Sequence, residues 1–161
     1  MIEDSQLPFV IAGMVLFAVA LSIVALFVAS RLLGWPQLAE AYPDRPDDPI
    51  LEKYFVQSLF IAKPGASLPG PYIQGPVTLI ACEGGLRIAV WPIFRAFFKT
   101  IFIPWDEIST TTVQAKVTRL KGCGLRVGGK KPFTLTIIAR VARKISAATN
   151  GKLEIPADLQ R

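Results

Sequence analysis

The stretch Leu7–Ser30, LPFVIAGMVLFAVALSIVALFVAS, decides the architecture of this chain because it contains no charged residue. An α-helix rises about 1.5 Å per residue, so a helix of this length crosses a hydrocarbon core of about 30 Å. Buried helices of soluble proteins are seldom so long and so uniformly apolar. The sequence therefore predicts a transmembrane helix at residues 7–33, preceded by a short tail at residues 1–6.

The charges on the two sides of this helix predict its orientation. The tail carries Glu3 and Asp4, whereas Arg31 is the first charge after the apolar run and basic residues follow farther on. The positive-inside rule then places the N-terminus outside and the rest of the chain in the cytoplasm. A cleaved signal peptide is disfavoured because the positive n-region is missing and the apolar run is too long.

One face of the predicted helix consists of small side chains. They are separated by four, three and four positions, which keeps them on one stripe: Ala18, Ser22, Ala25 and Ala29. Small residues let helices approach closely in lipid. The stripe predicts helix–helix packing, in a homodimer or against a larger membrane protein, although alanine is also simply common in such helices.

Residues 34–50 are predicted to connect the anchor to a domain at residues 51–161. Trp35–Tyr42 reads as a short juxtamembrane helix, and its two terminal aromatic residues suit an interfacial belt. The sequence PDRPDDP, Pro43–Pro49, has no apolar side chain and predicts a stiff acidic spacer.

Residues 51–161 have the pattern of strands followed by one helix. Val77–Cys82 and Leu86–Trp91 flank Glu83-Gly84-Gly85, which predicts a hairpin. Further strands are predicted at Tyr54–Ile61, Ile101–Ile103, Thr110–Leu120 and Phe133–Ile138, with a glycine-rich turn at residues 122–129. The spacing of Val141, Ile145 and Ala148 predicts an amphipathic helix that ends at Asn150-Gly151, although Asn-Gly also favours a hairpin.

The sequence GLRIAVWPIFRAFFKTIFIPWDEI, Gly85–Ile108, resembles a pattern in small bacterial single-pass membrane proteins of unassigned function. It is also similar to bacterial pleckstrin-homology-like (PH-like) and GRAM-type domains, in which an Ile-Pro-Trp/Tyr-x-x-Ile turn precedes a long strand. The resemblance implies a mainly-β PH-like barrel or sandwich closed by the C-terminal helix. It further implies binding of lipids or proteins, or scaffolding, and it transfers no catalytic residue.

Few residues in the sequence are suited to catalysis or metal binding. Histidine is absent, which removes the commonest general base and the commonest transition-metal ligand. Gly124–Lys131, GLRVGGKK, has the spacing of a phosphate-binding loop, but Lys131 replaces the expected Ser or Thr and Pro132 follows, so a hairpin turn is favoured. We expect no catalytic, cofactor or metal site and no enzymatic activity.

The two cysteines, Cys82 and Cys123, are too few for a disulfide-stapled secreted domain. They are expected to be buried free thiols. A disulfide between them would be possible if the domain lay outside the cytoplasm.

Charge is distributed very unevenly. Two basic and six acidic side chains give residues 1–50 a net charge of −4, whereas 16 basic and six acidic side chains give residues 51–161 a charge of +10. A basic patch is predicted at Lys116, Arg119, Lys121, Arg126, Lys130, Lys131, Arg140, Arg143 and Lys144. It is either a solvated surface or a contact for anionic lipid or an acidic protein. Nucleic acid is disfavoured because aromatic side chains are not interleaved with these charges.

The segment between Trp91 and Trp105 combines four phenylalanines with two cations. The predicted membrane-surface contact is made by Arg95, Phe97, Phe98 and Lys99, with the rings entering the headgroup boundary and the cations meeting lipid phosphates. A core with a crossing loop is the alternative.

Taken together, these patterns predict a non-enzymatic accessory or scaffolding protein of the bacterial inner membrane. Its basic domain would lie against the lipid bilayer and dock on a larger membrane complex. The alternative is a tethered module that recognises an acidic partner protein or anionic lipid headgroups.

Overall fold

The computed structural model describes residues 7–62, 72–114, 121–129 and 132–160, and the first described residues form two consecutive helices. Helix α1 spans Leu7–Leu33 and helix α2 spans Trp35–Ala41. Gly34 joins them with a φ of 73°, a left-handed conformation that glycine adopts without strain. The predicted apolar N-terminal helix is present. Its length and composition suit a membrane span, and a signal sequence has the same properties.

In the described residues, seven strands form one antiparallel sheet. They are β1 Ile50–Ala62, β2 Tyr72–Cys82, β3 Gly85–Val90, β4 Ile101–Pro104, β5 Ile108–Gln114, β6 Lys121–Val127 and β7 Phe133–Ile138. The order across the sheet is β4-β3-β2-β1-β7-β6-β5. In the part of the chain that the structure describes, the edge strands β4 and β5 do not pair with each other, so the sheet is open rather than a closed barrel.

Helix α3, Ala139–Ala148, follows β7 and packs against β1, β6 and β7. Ala142 and Ile145 of this helix are fully buried, which confirms the predicted amphipathic helix. The helix ends in a Schellman motif: the Gly151 N–H donates to the Ser146 carbonyl and the Asn150 N–H to Ala147. Asn-Gly therefore ends a helix here and does not form a hairpin.

The core lies on the face of the sheet that carries alternate apolar side chains. In β3, Leu86, Ile88 and Val90 are buried while Arg87 and Ala89 are half-buried, as the alternation predicted. Strands β6 and β7 add further buried residues of the same type: Leu125, Val127, Leu135 and Ile137. One hydrophobic cluster joins these strands with α3.

The prediction of a glycine-rich turn at residues 122–129 is wrong, because most of this segment is strand β6. A Cβ atom on Gly124 would lie 2.6 Å from Cγ2 of Val113, and one on Gly122 would lie 2.7 Å from Cγ2 of Thr136. The glycines therefore allow the two neighbouring strands to approach closely. The turn itself is limited to the end of the segment, where Gly128 has a φ of 94°.

Candidate functional site

The junction between α1 and the domain is packed rather than flexible. Leu33, Trp35 and Leu38 are all buried in the domain core. The Trp35 indole N–H donates to the Lys99 carbonyl at 2.8 Å, and its ring meets Phe98 edge-on with centroids 5.6 Å apart. The start of α2, directly after α1, is therefore fixed to the loop between β3 and β4.

The aromatic-belt interpretation of Trp35 and Tyr42 is wrong. Their exposed fractions are only 1% and 8%, so neither ring can lie in a headgroup layer. The Tyr42 hydroxyl donates to Oε2 of Glu107 at 2.6 Å. Burial, with this hydrogen bond second, raises the pKa of Tyr42 to about 12. The phenol is consequently uncharged at neutral pH and ties the end of α2 to the turn before β5.

The predicted spacer after α2 is also bound to the sheet. Asp44 forms a two-pronged ion pair with Arg87, at 2.6 Å to Nε and 2.7 Å to Nη2, and this hydrogen bonding raises the pKa of the guanidinium. Oδ2 of Asp48 accepts the Gly84 N–H at 2.9 Å. A domain boundary at residue 50 would therefore cut through one packed unit. The spacer interpretation is wrong because Asp44 binds β3 and Asp48 binds the turn before it.

The β3–β4 loop presents a different set of side chains from the predicted one. Phe98 is 5% exposed against Trp35, so its ring belongs to the core and the prediction that it contacts lipid is wrong. Phe97 is half-buried, whereas Arg95 and Lys99 are exposed as predicted.

Sequence reasoning missed the two most exposed apolar side chains of this loop. Ile93 is 77% exposed and Trp91 is 48% exposed. The available signal was the Trp-Pro-Ile sequence directly after the alternating strand β3: a Pro fixes φ and ends the pairing, so the next apolar residue leaves the sheet. Ile93 is the middle residue of a 3-10 turn at Pro92–Phe94, and its side chain is exposed.

A cavity of about 420 Å³ lies where α1, α2 and this loop meet. Its lining residues are Phe27, Ser30, Arg31, Trp35, Pro36, Ala39, Glu40, Ala96, Phe97 and Lys99. Three of them are ionisable, with two cations and one carboxylate, and most of the others are apolar. The cavity therefore joins an apolar wall to a charged rim at the C-terminal end of the apolar helix.

The predicted small-residue stripe faces outward from α1. Ala18, Ser22 and Ala25 are exposed and Ala29 is half-exposed. The Ser22 hydroxyl donates to the Ala18 carbonyl at 2.8 Å, so its polar atom is already satisfied within the helix. This stripe can accept a close apolar neighbour without leaving a polar group unpaired.

The basic patch is only partly described. Arg126 on β6 is exposed, as are Arg140, Arg143 and Lys144 on α3. Lys116, Arg119, Lys130 and Lys131 lie outside the described residues, as does the side chain of Lys121. The structure brings the three residues of α3 onto one short helix and places none of the four in the cavity at α1.

Both cysteines are buried free thiols, as predicted. Burial raises the pKa of each, that of Cys123 to about 11, so both remain protonated at neutral pH. Among the described residues, no group of three or more Cys, Asp or Glu side chains is placed to hold a metal ion.

No protein-family model matches the chain, and no curated protein matches it in sequence. The functional interpretation therefore rests on the junction, the β3–β4 loop and the cavity described above.

Proposed function

We propose that this chain is a single-pass, non-enzymatic accessory or scaffolding protein of the bacterial inner membrane, with its domain held against the cytoplasmic face. The proposal depends mainly on the packed junction, in which Leu33, Trp35 and Leu38 belong to the same core as the sheet. A domain attached in this way stays beside the membrane at a fixed distance, whereas a flexible linker would let it move away.

The same junction supports a retained anchor over a cleaved signal sequence. Leu26 packs against the domain core from α1, and Leu33 lies within that core. Removal of α1 would expose the apolar surface that these leucines cover. Exposure of such a surface costs about 25 cal/mol per Å².

The order of the strands supports a PH-like domain. Four strands (β4-β3-β2-β1) continue into three (β7-β6-β5), and one helix follows the last strand. The Pro104-Trp105 turn after β4 is held by the Trp105 indole N–H, which donates to the Cys82 carbonyl at 3.1 Å. This is the turn on which the sequence resemblance depends.

The β3–β4 loop supports contact between the domain and the lipid surface. Exposed Ile93 and Trp91 supply apolar area, and exposed Arg95 and Lys99 supply positive charge in the same loop. This combination is typical of segments that lie in the headgroup boundary. The Trp35–Lys99 hydrogen bond fixes the loop to the start of α2, directly after α1, which is where that boundary would be.

The small-residue stripe of α1 supports docking on a larger membrane complex or on a second copy of the chain. The exposed cations of α3 favour the alternative function, in which the tethered domain recognises an acidic protein partner. Charge reversal at Lys130 and Lys131 separates the two: lipid binding falls if the basic patch contacts membrane, and partner capture falls if it contacts protein.

The first test is gentle detergent extraction of the tagged full-length protein, with identification of stoichiometric co-purifying proteins. We expect a membrane complex with the wild type, loss of that complex in the double variant Ala18→Leu/Ala25→Leu, and retention in Ala20→Leu, which enlarges the opposite face of α1. Recovery of the wild type alone would refute the accessory role. Recovery of the protein in the soluble fraction would refute the anchor.

A further inference from the structure

The cavity at the end of α1 combines apolar and charged lining residues. Phe27 and Arg31, which both line it, are one helical turn apart, or about 6 Å along the axis. The Arg31 guanidinium lies 5.2 Å from the centre of the Phe27 ring, so a cation and an apolar ring adjoin each other in the lining. In the proposed orientation this pair lies where α1 leaves the hydrocarbon, at the level of the glycerol and phosphate of a phospholipid.

We propose that this cavity binds one phospholipid whose headgroup carries a primary ammonium, an inference that rests on the proposed membrane anchor. Arg31 and Lys99 contact the phosphate, and Glu40 contacts the ammonium group. Phe27 and Phe97 line the side from which the acyl chains leave. The two cations and one carboxylate match a headgroup that has both charges, because an anionic headgroup without an amine would leave Glu40 facing negative charge.

The site is placed so that a bound lipid would bridge the anchor and the domain. Arg31 belongs to α1, Glu40 to α2, and Lys99 to the end of the β3–β4 loop, and Trp35 holds these elements together. A lipid in the cavity contacts all three elements at once. Binding is therefore expected to raise the thermal stability of the junction, because a ligand that binds only the folded state stabilises it.

The test is native mass spectrometry of the delipidated full-length protein with phosphatidylethanolamine, phosphatidylglycerol or phosphatidylcholine added. We expect phosphatidylethanolamine to bind preferentially, with one molecule per chain. Lys99→Gln should weaken this binding about fivefold, the effect of one basic residue at a membrane surface. Lys53→Gln is the control, because Lys53 is an exposed cation of β1 that does not line the cavity.

Two further variants separate the parts of the proposal. Ala96→Trp places a large ring in the cavity from an exposed position and should abolish the preferential adduct without unfolding the domain. Glu40→Gln should reduce the preference for phosphatidylethanolamine over phosphatidylglycerol, whereas Glu154→Gln, an exposed carboxylate elsewhere, should not. Equal adducts in the wild type and Ala96→Trp would overturn the site, and an unchanged preference in Glu40→Gln would overturn the role of the amine.

The source of the phosphate is tested with glycerophosphoethanolamine, which has the headgroup but no acyl chains. We expect it to bind much more weakly than the intact lipid. If it bound equally well, the ligand would be a soluble phosphoester and the lipid proposal would be wrong. Membrane fractionation of the same variants tests the anchor separately. Ala96→Trp should remain membrane-bound, so a variant that loses only the lipid adduct has lost the cavity site and not the anchor.

Discussion

Helix α1 and the segment Trp35–Pro49 are adjacent in the chain, yet their structures have different origins. In α1, 24 consecutive uncharged residues define a helix that needs no neighbour to satisfy its backbone. The segment after it is short and mixed in composition, and it reads as a surface helix with a polar spacer. Its actual position depends on partners that lie 40 to 65 residues farther along the chain, such as Arg87, Lys99 and Glu107.

The comparison shows that a polar segment can be part of a core through a few specific contacts. Leu38 and Trp35 supply buried apolar area, while Asp44 binds Arg87 on β3 and Asp48 binds Gly84 in the turn before β3. Substitutions in Trp35–Pro49 should therefore affect the stability of the whole domain. Substitutions of exposed residues in α1 should not.

The largest effect is expected from Leu38→Ala, because Leu38 is fully buried in the domain core. Removal of a buried leucine side chain should lower the free energy of unfolding by about 2–5 kcal/mol. The matched control is Leu32→Ala, at a position 62% exposed at the end of α1, which should change it by less than about 0.5 kcal/mol. Chemical unfolding of the full chain in detergent, followed by circular dichroism, measures both. If both variants lowered the free energy of unfolding by a similarly small amount, α2 would not be part of the core.

The next effect concerns the ion pair between Asp44 and Arg87. Asp44→Ala removes both hydrogen bonds from a guanidinium whose side chain is 19% exposed, and we expect a loss of about 1–2 kcal/mol. Asp47→Ala, at an exposed position of the same acidic segment, is the control and should be nearly neutral. The same unfolding measurement applies. A loss in Asp47→Ala as large as that in Asp44→Ala would indicate a general charge effect and not a specific pair.

The hydroxyl of Tyr42 is expected to make the free energy of unfolding depend on pH. Its pKa is raised from 10.0 to about 12, so between these values the unfolded chain releases the phenol proton before the folded chain does. The folded state then holds more protons, and stability falls as pH rises through this window. Tyr42→Phe should remove this part of the fall, as measured by unfolding at several pH values. At neutral pH it should cost about 1 kcal/mol for the lost hydrogen bond to Glu107.

Amide exchange provides the control for this tyrosine. The Phe102 N–H donates to the Tyr42 carbonyl, so loosening of the segment in Tyr42→Phe should speed exchange at Phe102. Tyr54→Phe removes a comparable phenol in β1 that binds Glu52, and it should leave exchange at Phe102 unchanged. Equal exchange in the two variants would show that the Tyr42 hydroxyl does not hold the segment.

The smallest effect is expected at Arg45, whose guanidinium lies 5.2 Å above the centre of the Phe102 ring. Arg45→Ala should lower the free energy of unfolding by about 0.5 kcal/mol, because the cation–π contact lies at the surface. Arg95→Ala removes an exposed cation from the β3–β4 loop and should be neutral for stability. An unchanged free energy of unfolding in Arg45→Ala would mean that Arg45 does not help to hold the segment Trp35–Pro49. Its acids and apolar residues would then hold it without the cation–π contact.

The sequence did not predict which side chains of the β3–β4 loop are buried, for the same physical reason that it did not predict the contacts of Pro43–Pro49. Phe97 and Phe98 are consecutive and equally apolar, yet the Phe98 ring is buried on Trp35 while Phe97 is only half-buried. A loop has no period from which facing can be read, so its orientation depends on the surface beneath it. That surface is supplied by α2, which the sequence had placed outside the domain.

The sequence by itself determined the elements whose evidence is local. Uniform apolarity defined α1, alternation defined β3 and β7, and the spacing of Val141, Ile145 and Ala148 defined α3, because each pattern is repeated within a single element. Tertiary structure decided the rest. It converted the glycines of β6 from a turn into a close-packed strand, placed Trp35 and Tyr42 in the core, and formed the cavity from three separate elements. Those outcomes depend on distances between residues far apart in the chain, which local patterns do not contain.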